Sequence, residues 1–570
     1  MNDIVWLTMR RMRRPLITII LVFSVSVLGM VLIPGHDAQG NAISVGYLDA
    51  AYFIAILETS IGFGEIPAGF TGAQRLYVLI ILLPNVVAWL YSIGTILSLF
   101  IDPQFRSVVE RSRFTRRVKD LHEGFFIVCG LGHTGSMVVH ALLHRGYRAV
   151  VLEQRQDIIY GMLLSDELAS VPALAGDVSN RSLLERAGLN HEKCLGIMAL
   201  TNDDHVNLNI AITCKLLRPG LPVLARSETP RVTANMTSFG TDYVIDPFAI
   251  FAQALFLDFS SPVKYRALDW LTSVPGSDLR ELLQPPAGRW LLCGLGRFGS
   301  RVAERLDEAA VPYAVIDVHA ERVRGRTGAV RGRGTEAQTL IEAGVSEAVG
   351  IIACTGDDVD NLSIIMTARD LNPGLYVVAR QERNENDLLF NASKANVVAR
   401  RSVIIARRVL LVATTPLLES FLQHLIRQDE SFAQRLTARL QSILNGKAPA
   451  IWTVHLEGRL ATGLAEAKLE GVSIQLMHLL HHSREDEQQH LPCLCLLLER
   501  GASRTFLPEP GHDLHAGDRL LFAGRESAQD EIAWSLSEPG ALFGSATGRI
   551  MPAGALWRWF GRRRAQRLPQ

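Results

Sequence analysis

Net charge is nearly absent from this chain: 58 Lys and Arg stand against 57 Asp and Glu over 570 residues, a formal balance of +1. A protein that holds nucleic acid through bulk attraction for phosphate carries a large positive excess, so that class is excluded and no nucleic-acid partner is expected. Cysteine is scarce too. Seven residues, an odd number scattered mostly through apolar runs, cannot form a disulfide scaffold and read as reduced, buried thiols of a cytosol-facing chain. The one close pair, Cys493 and Cys495, shares a strand face but has no second pair or adjacent His, so no metal site is assigned to it. What is plentiful is apolar surface, 48% of residues. That is enough for several cores, and the length points to three or four domains rather than a disordered chain.

The apolar residues are concentrated at the start. Residues 15–34 form a 20-residue stretch without a charge and residues 76–101 a 26-residue stretch without one; as helices, each can cross a hydrocarbon layer of about 30 Å. A cleaved signal peptide fits poorly, because the first run is too long and a second span follows. Arg10, Arg11, Arg13 and Arg14 precede the first run, Arg106, Arg111, Arg113, Arg116, Arg117 and Lys119 follow the second, and only Arg75 lies between. The bias of basic residues toward the cytoplasm then predicts an integral protein of the inner (plasma) membrane with both termini, and everything after Asp102, on the cytoplasmic side.

The segment between the spans is too apolar for an ordinary loop. Tyr47 to Leu57 predicts a short helix that runs into Glu58, Thr59, Ser60, Ile61, Gly62, Phe63, Gly64 and Glu65. Alternate glycines let successive carbonyls point one way through backbone conformations closed to other residues. The segment Ser60 to Gly64 with Glu65 resembles the filter of the potassium-channel superfamily, and the resemblance implies rings of carbonyl oxygens that replace the hydration shell of K+. Ser60 stands where that family usually has Thr and Phe63 where it usually has Tyr. Glu58, two residues before Ser60, departs from strict potassium selectivity and leaves a nonselective cation channel, or a ligand-sensing membrane protein of the same architecture, as the alternative. In the second span Pro84 falls 20 residues after Gly64 and, with Gly94, is the candidate gate; Pro84 interrupts one backbone hydrogen bond and is compatible with a moving bend or a passive kink.

After a basic linker, residues 102–123, the chain repeats itself. Each copy has an apolar strand, Gly-x-Gly-x-x-Gly, a helix and a strand ending in an acid. The first has Gly130, Leu131, Gly132, His133, Thr134, Gly135 and Glu153; the second has Gly294, Gly296, Arg297, Phe298, Gly299 and Asp317. Glycines at this spacing permit a tight turn and close approach of pyrophosphate to a helix N-terminus, while the acid accepts ribose hydroxyls. NAD or an adenine nucleotide is therefore the expected ligand. Asp177, Asn202, Asp203 and Arg226 are further candidates in the first copy, with Asp203, Asp204, Asp357 and Asp358 serving equally well as helix caps or as contacts to ligand or a divalent regulator. The copies differ at one slot: Asp177 in the first corresponds to Arg331-Gly332-Arg333-Gly334 in the second, where arginines suit phosphate or a subunit contact. Different ligands, or one occupied and one vestigial site, are expected.

The tandem arrangement resembles the regulator-of-conductance (RCK, TrkA-type) modules of ligand-gated potassium channels. A Gly517-Asp518 turn before the apolar run Leu520 to Ala523 matches that family's small C-terminal subdomain. The expected organisation is a two-span α-helical pore domain (1–101), a linker (102–123), two doubly wound Rossmann-like α/β modules (124–257 and 289–410) joined by 258–288, linking helices (411–446), a small α+β subdomain (447–530) and a basic tail (531–570). The resemblance implies a homotetramer that conducts K+ passively and is gated by nucleotide, rather than an enzyme; an NAD-dependent oxidoreductase would need a substrate domain that follows neither copy. Two weaker features are His478, His481, His482 and His490 with Glu485, Asp486 and Glu487, a metal cluster or a solvated loop, and the tail Trp557 to Arg564, an anionic-lipid contact or a mobile end.

Overall fold

Long apolar runs favour helices at the N-terminus, and two are found: α1 (Asn2–Leu32) and α3 (Gly72–Ile101), the second continuing through Pro84. The protein is described by a computed structural model covering residues 2–570 except 37–41, 60–69, 274, 280–283, 327, 458–463, 465–471, 482–489, 538–545 and 547–570. Its residues group into two units, one ending at Leu121 and one that takes up most of the chain from His122 onward.

In the first unit Met12–Leu32 and Gly72–Ser98 are long and apolar enough to cross a membrane. They pack closely because Gly29 has no side chain: a Cβ there would overlap the Tyr77 hydroxyl, which donates to the carbonyls of Val25 at 3.0 Å and Ser26 at 3.1 Å. Buried Asn85 donates Nδ2 to Ser26 Oγ and to the Ile81 carbonyl, each at 2.7 Å, which pairs the donor half of an amide that would be costly to leave bare in an apolar interface. Pro84 lies within α3 without ending it, and nothing lies within 4 Å of a Cβ built on Gly94. Helix α2 (Tyr47–Glu58) is wedged onto both spans through Ala50 and Ile54, which join Val27, Met30 and Ile81 in one core. Thr59 ends it, donating its hydroxyl to the Ala55 carbonyl at 3.0 Å. Ser60 to Glu65, the filter-like sequence, lies outside the described residues. Helix α4 (Pro103–Lys119) follows α3 directly and exposes all six of its Arg and Lys side chains.

The second unit holds three sheets. In the first module β1 (Phe125–Cys129), β2 (Arg148–Glu153), β3 (Ala173–Ala175), β4 (Cys194–Ala199), β5 (Val223–Arg226) and β6 (Tyr243–Ile245) form a parallel sheet in the order β3-β2-β1-β4-β5-β6. The second module repeats it with β7 (Trp290–Cys293), β8 (Tyr313–Asp317), β9 (Val330–Arg331), β10 (Gly350–Ala353), β11 (Tyr376–Gln381) and β12 (Val397–Arg400), in the order β9-β8-β7-β10-β11-β12. This is the doubly wound arrangement, with a strand-order reversal between the first and fourth strands of each module. The central strands are buried on both faces, which is why they read as unbroken apolar runs.

The modules exchange helices. Helix α6 (Pro247–Ser260) leaves the first sheet and packs on α8 (Arg297–Glu308) of the second, with Phe248, Ala252 and Leu255 entering a core with Phe298, Val302 and Leu306. Helix α9 (Arg401–Thr414) leaves the second sheet and packs on α5 (His133–His144) of the first, where Arg145 Nη1 donates to Thr414 Oγ1 at 3.1 Å. Helices α7 (Pro262–Thr272), α10 (Pro416–Arg427) and α11 (Glu430–Leu444) complete the connection. The C-terminal sheet is antiparallel, β13 (Ala450–His455), β14 (Cys493–Arg500), β15 (Ser503–Phe506) and β16 (Arg519–Gly524), in the order β13-β16-β14-β15. Its tight turn uses Gly517 at φ 89° and a fully buried Asp518 that Arg500 grips with Nε and Nη2, both at 2.8 Å. All seven cysteines are buried free thiols, and burial pushes Cys493 up to about 12.

Candidate functional site

Both glycine-rich loops form at the carboxyl end of the first strand of their sheet, and each glycine has a different reason. Gly130 and Gly294 turn the chain in the left-handed region, at φ 97° and 98°. Gly135 and Gly299 allow the helix to touch the turn, since a Cβ at either would overlap the carbonyl of Gly130 or Gly294. Gly132 and Gly296, the residues just before α5 and α8, face open space, with nothing within 4 Å of a built Cβ. The middle glycine is thus the one that leaves room for a phosphate at the helix N-terminus.

The two acids close the loops from below. Buried Glu153 accepts the Leu131 amide at 2.6 Å and the Arg155 amide at 3.0 Å; buried Asp317 accepts the Leu295 amide at 2.6 Å and the His319 amide at 2.8 Å. Both Glu153 oxygens and Asp317 Oδ1 keep a lone pair that a hydroxyl can use, while Asp317 Oδ2 also accepts from Arg322 Nη1 at 3.4 Å. The structure therefore brings the loop residues and Glu153 together in the first module, and the loop residues and Asp317 in the second.

The remaining candidates are placed differently. Asp203 caps the helix Asp204–Leu217 by accepting from the His205 amide at 2.8 Å and the Val206 amide at 3.3 Å, and Asp357 caps Asp358–Leu371 in the same way. Asp204 and Asp358 bind backbone amides of the segments after β5 and β11. Asp177 holds an exposed turn, accepting the Ser179 amide at 2.9 Å and hydroxyl at 2.6 Å, and these bonds keep its carboxyl below the usual range. Asn202 accepts from Arg226 Nη1 at 2.8 Å. Thr134 is buried at the start of α5, and Phe298 packs into the core against Phe248 and Phe251. Among the described residues no group of three or more His, Cys, Asp and Glu is arranged to hold a metal ion. His478, His481 and His490 are described; His482, Glu485, Asp486, Glu487 and the tail from Trp557 to Arg564 lie outside the described residues.

The second module encloses a cavity of about 610 Å³ lined by its glycine loop, Asp317, His319 and five arginines, Arg297, Arg322, Arg333, Arg380 and Arg401. Only three acids, Asp317, Asp360 and Glu382, line it as well, so fixed positive charge is in excess. Among the described residues Arg333 has no ion-pair or side-chain hydrogen-bond partner. Arg322 Nη1 lies 3.4 Å from Asp317, where the first module has Ile158.

Several of these arginines cross between modules. Arg401 places Nη2 2.5 Å from Glu382 of the second module and Nη1 3.1 Å from Glu228 of the first. Glu228, 5% exposed, also meets Arg226 and, at 3.5 Å, Arg297 of the second glycine loop. Arg380 bonds Glu382 at 2.7 Å and lies over the Phe248 ring. The first glycine loop is contacted reciprocally: His133 Nε2 is 2.9 Å from Glu385 of the second module. Glu228, Glu382, Arg322 and Arg401 were not in the sequence reading. Each copy has a strand that ends in Ala-Arg, Ala225-Arg226 and Ala379-Arg380, with an acid two residues on at Glu228 and Glu382, which marks the two acids; no sequence signal marks Arg401.

The sequence matches the TrkA-N domain model twice, over residues 126–247 and 290–401. It is 27% identical over 226 residues to an uncharacterized protein of Methanothermus fervidus, an alignment covering 40% of this chain and 34% of that one. It is 23% identical over 244 residues to potassium channel protein 1 of Methanocaldococcus jannaschii, covering 43% of this chain and 68% of the relative. The chain thus spans about a third of the length of the first relative and about two thirds of the second. Superposed on the solved GsuK channel bound to NAD, it is 16% identical with a TM-score of 0.48, over 94% of this chain and 100% of the other. Sheet order, glycine turns and the paired matches agree: each α/β module is a TrkA-N domain, and the chain carries two of them in tandem behind a pair of apolar helices.

Proposed function

We propose that the protein is a ligand-gated potassium channel in which nucleotide binding to the TrkA-N domains controls a pore built by the first unit. Four chains surround one pore; the span-flanking basic residues hold both termini and the domains on the cytoplasmic side of the inner membrane, and K+ passes through passively. The observation that carries the reading is helix α2, buried on both spans and ending at Thr59, immediately before Ser60-Ile61-Gly62-Phe63-Gly64. A short helix packed on two spans and followed in sequence by alternate glycines is a unit that four copies can arrange around an axis. The potassium-channel name of the M. jannaschii relative supports the same reading. The loops and acids of the domains fit NAD or an adenine nucleotide, with Gly132 or Gly296 facing phosphate and Glu153 or Asp317 facing ribose. The ligand acts as a regulator and not as a reactant, and it shifts the gate only by its differential affinity for open and closed states.

One observation favours a second reading. Glu58 is 6% exposed and its Oε1 has no hydrogen-bond partner among the described residues. A carboxylate at that place attracts cations without choosing among them, which suits a nonselective cation channel. Reconstituted protein recorded with K+ on one side and Na+ on the other separates the two. A reversal potential displaced toward that of K+ supports the first, and one near zero supports the second.

A further inference from the structure

The arginines of the second module have too few acids around them, and the imbalance is concentrated where the two modules meet. Among the described residues Arg226, Arg297, Arg380 and Arg401 share two acids as ion-pair partners, Glu228 and Glu382. Glu228 is buried and meets three guanidinium groups, while Arg297, Arg380 and Arg401 also line the cavity that holds Arg333 and Arg322. Burial and the neighbouring Arg226 and Arg380 push the Arg401 guanidinium down, against the pull of Glu228 and Glu382. A half-buried cation pressed by other cations gains most from an added anion. The cavity opens at the N-terminus of α8 beside Gly296, a position that favours phosphate. Its counterpart in the first module has Asp177 where the second has Arg333 and Ile158 where the second has Arg322.

We propose that the second module's cavity takes a ligand with at least two consecutive phosphates, and that Glu228 of the first module competes with those phosphates for Arg297 and Arg401. This rests on reading the modules as nucleotide sites and names how one of them is coupled. In the empty protein Glu228 serves as the anion for both arginines and ties the modules together. Phosphate entering beside Gly296 takes over Arg297 and Arg401, leaves Glu228 to Arg226 alone, and loosens one bridge between the modules. Occupancy and module contact then exclude each other in part, which is a coupling free energy between a ligand and an interface.

The test uses the full chain in detergent or nanodiscs and calorimetric titration with ATP, AMP and inorganic tripolyphosphate. ATP is expected to bind at least tenfold more tightly than AMP, and tripolyphosphate to bind alone and lose affinity about tenfold in Arg333→Ala. Glu228→Gln, which keeps shape and removes the competing charge, is expected to tighten ATP about tenfold, inside the roughly 5- to 150-fold span of coupled sites. Glu228→Asp, with a shorter reach to the arginines, carries the same expectation at smaller size if the glutamine variant does not fold. Equal affinity for ATP and AMP overturns the polyphosphate assignment. Unchanged or weaker ATP binding in the Glu228 variants overturns the competition while leaving a nucleotide site in place. Absence of binding by every nucleotide, NAD included, removes the underlying reading itself.

Discussion

The two TrkA-N domains share strand order, glycine turns and the carboxylate that braces the loop, yet they differ in several charged and polar residues around that loop. In the first module Asp177 and Ser179 close a polar turn, Asn202 takes one arm of Arg226, and Ile158 stands five residues after Glu153 in the sequence. In the second the corresponding positions are Arg333, Gly356 and Arg322, and all three line the basic cavity. The glycine loops also differ in what holds them: His133 meets Glu385 on the surface, whereas Arg297 meets the buried Glu228. Duplication kept the backbone machinery, and divergence of a few side chains changed the charge of the pocket. The second module's cavity carries an excess of arginine, whereas the matching positions of the first module hold Asp177, Asn202 and Ile158.

Substitutions that insert a Cβ at the turn should have the largest effect and should erase the comparison, because both modules need the same close approach. Gly135→Val or Gly299→Val forces the start of the helix off the strand, at a cost above about 3 kcal/mol. Circular dichroism melts should show an early transition, and calorimetry the loss of nucleotide binding at the altered module. Asp317→Ala removes the acceptor of two amides and the group proposed to face ribose, and should lower nucleotide affinity by about 2 kcal/mol or roughly thirtyfold. Glu153→Ala in the first module should disturb binding at the second less than threefold if the modules hold ligand independently.

Charge exchange sharpens the comparison. Asp177→Arg is expected to raise the affinity of the first module for polyphosphate by severalfold, while Arg333→Asp lowers that of the second by more than tenfold, both read by titration with tripolyphosphate.

A smaller effect concerns helix α6, which the first module donates to the second. Asp258 on it is 5% exposed, has Oδ1 without a hydrogen-bond partner, and is pushed up to about 7 by burial, with Asp269 adding to the rise. The native chain then binds more protons at this site than the unfolded chain between about pH 4 and pH 7, so its stabilising contribution falls as pH rises through that window. Asp258→Asn should therefore be more stable than the parent at pH 8, on the order of 1 kcal/mol or more, with the advantage gone near pH 4. Thermal melts at the two pH values check it.

Much of this was legible in the sequence because it rests on local chemistry. Glycine spacing, a strand ending in Glu153 or Asp317, and uncharged runs of 20 and 26 residues each state a backbone requirement directly. Asp203 and Asp357 were open between capping and ligand contact, and the structure shows both as caps. Phe298, placed with the ligand by its position in the motif, turns into the core because α6 of the other module brings Phe248 and Phe251 against it. That exchange of helices is tertiary, and so is Arg401, which reaches Glu228 across 173 residues of sequence. No periodicity or motif encodes either.

The central claim, a potassium pore controlled from an asymmetric pair of nucleotide domains, is tested most directly by single-channel recording of reconstituted protein under K+ and Na+ gradients while ATP is added on the side of the TrkA-N domains. The account predicts a reversal potential near that of K+ and an open probability that moves with ATP, a response lost in Arg333→Ala and kept in Asp177→Ala. A reversal potential at zero, or an ATP response that survives Arg333→Ala unchanged, would contradict it.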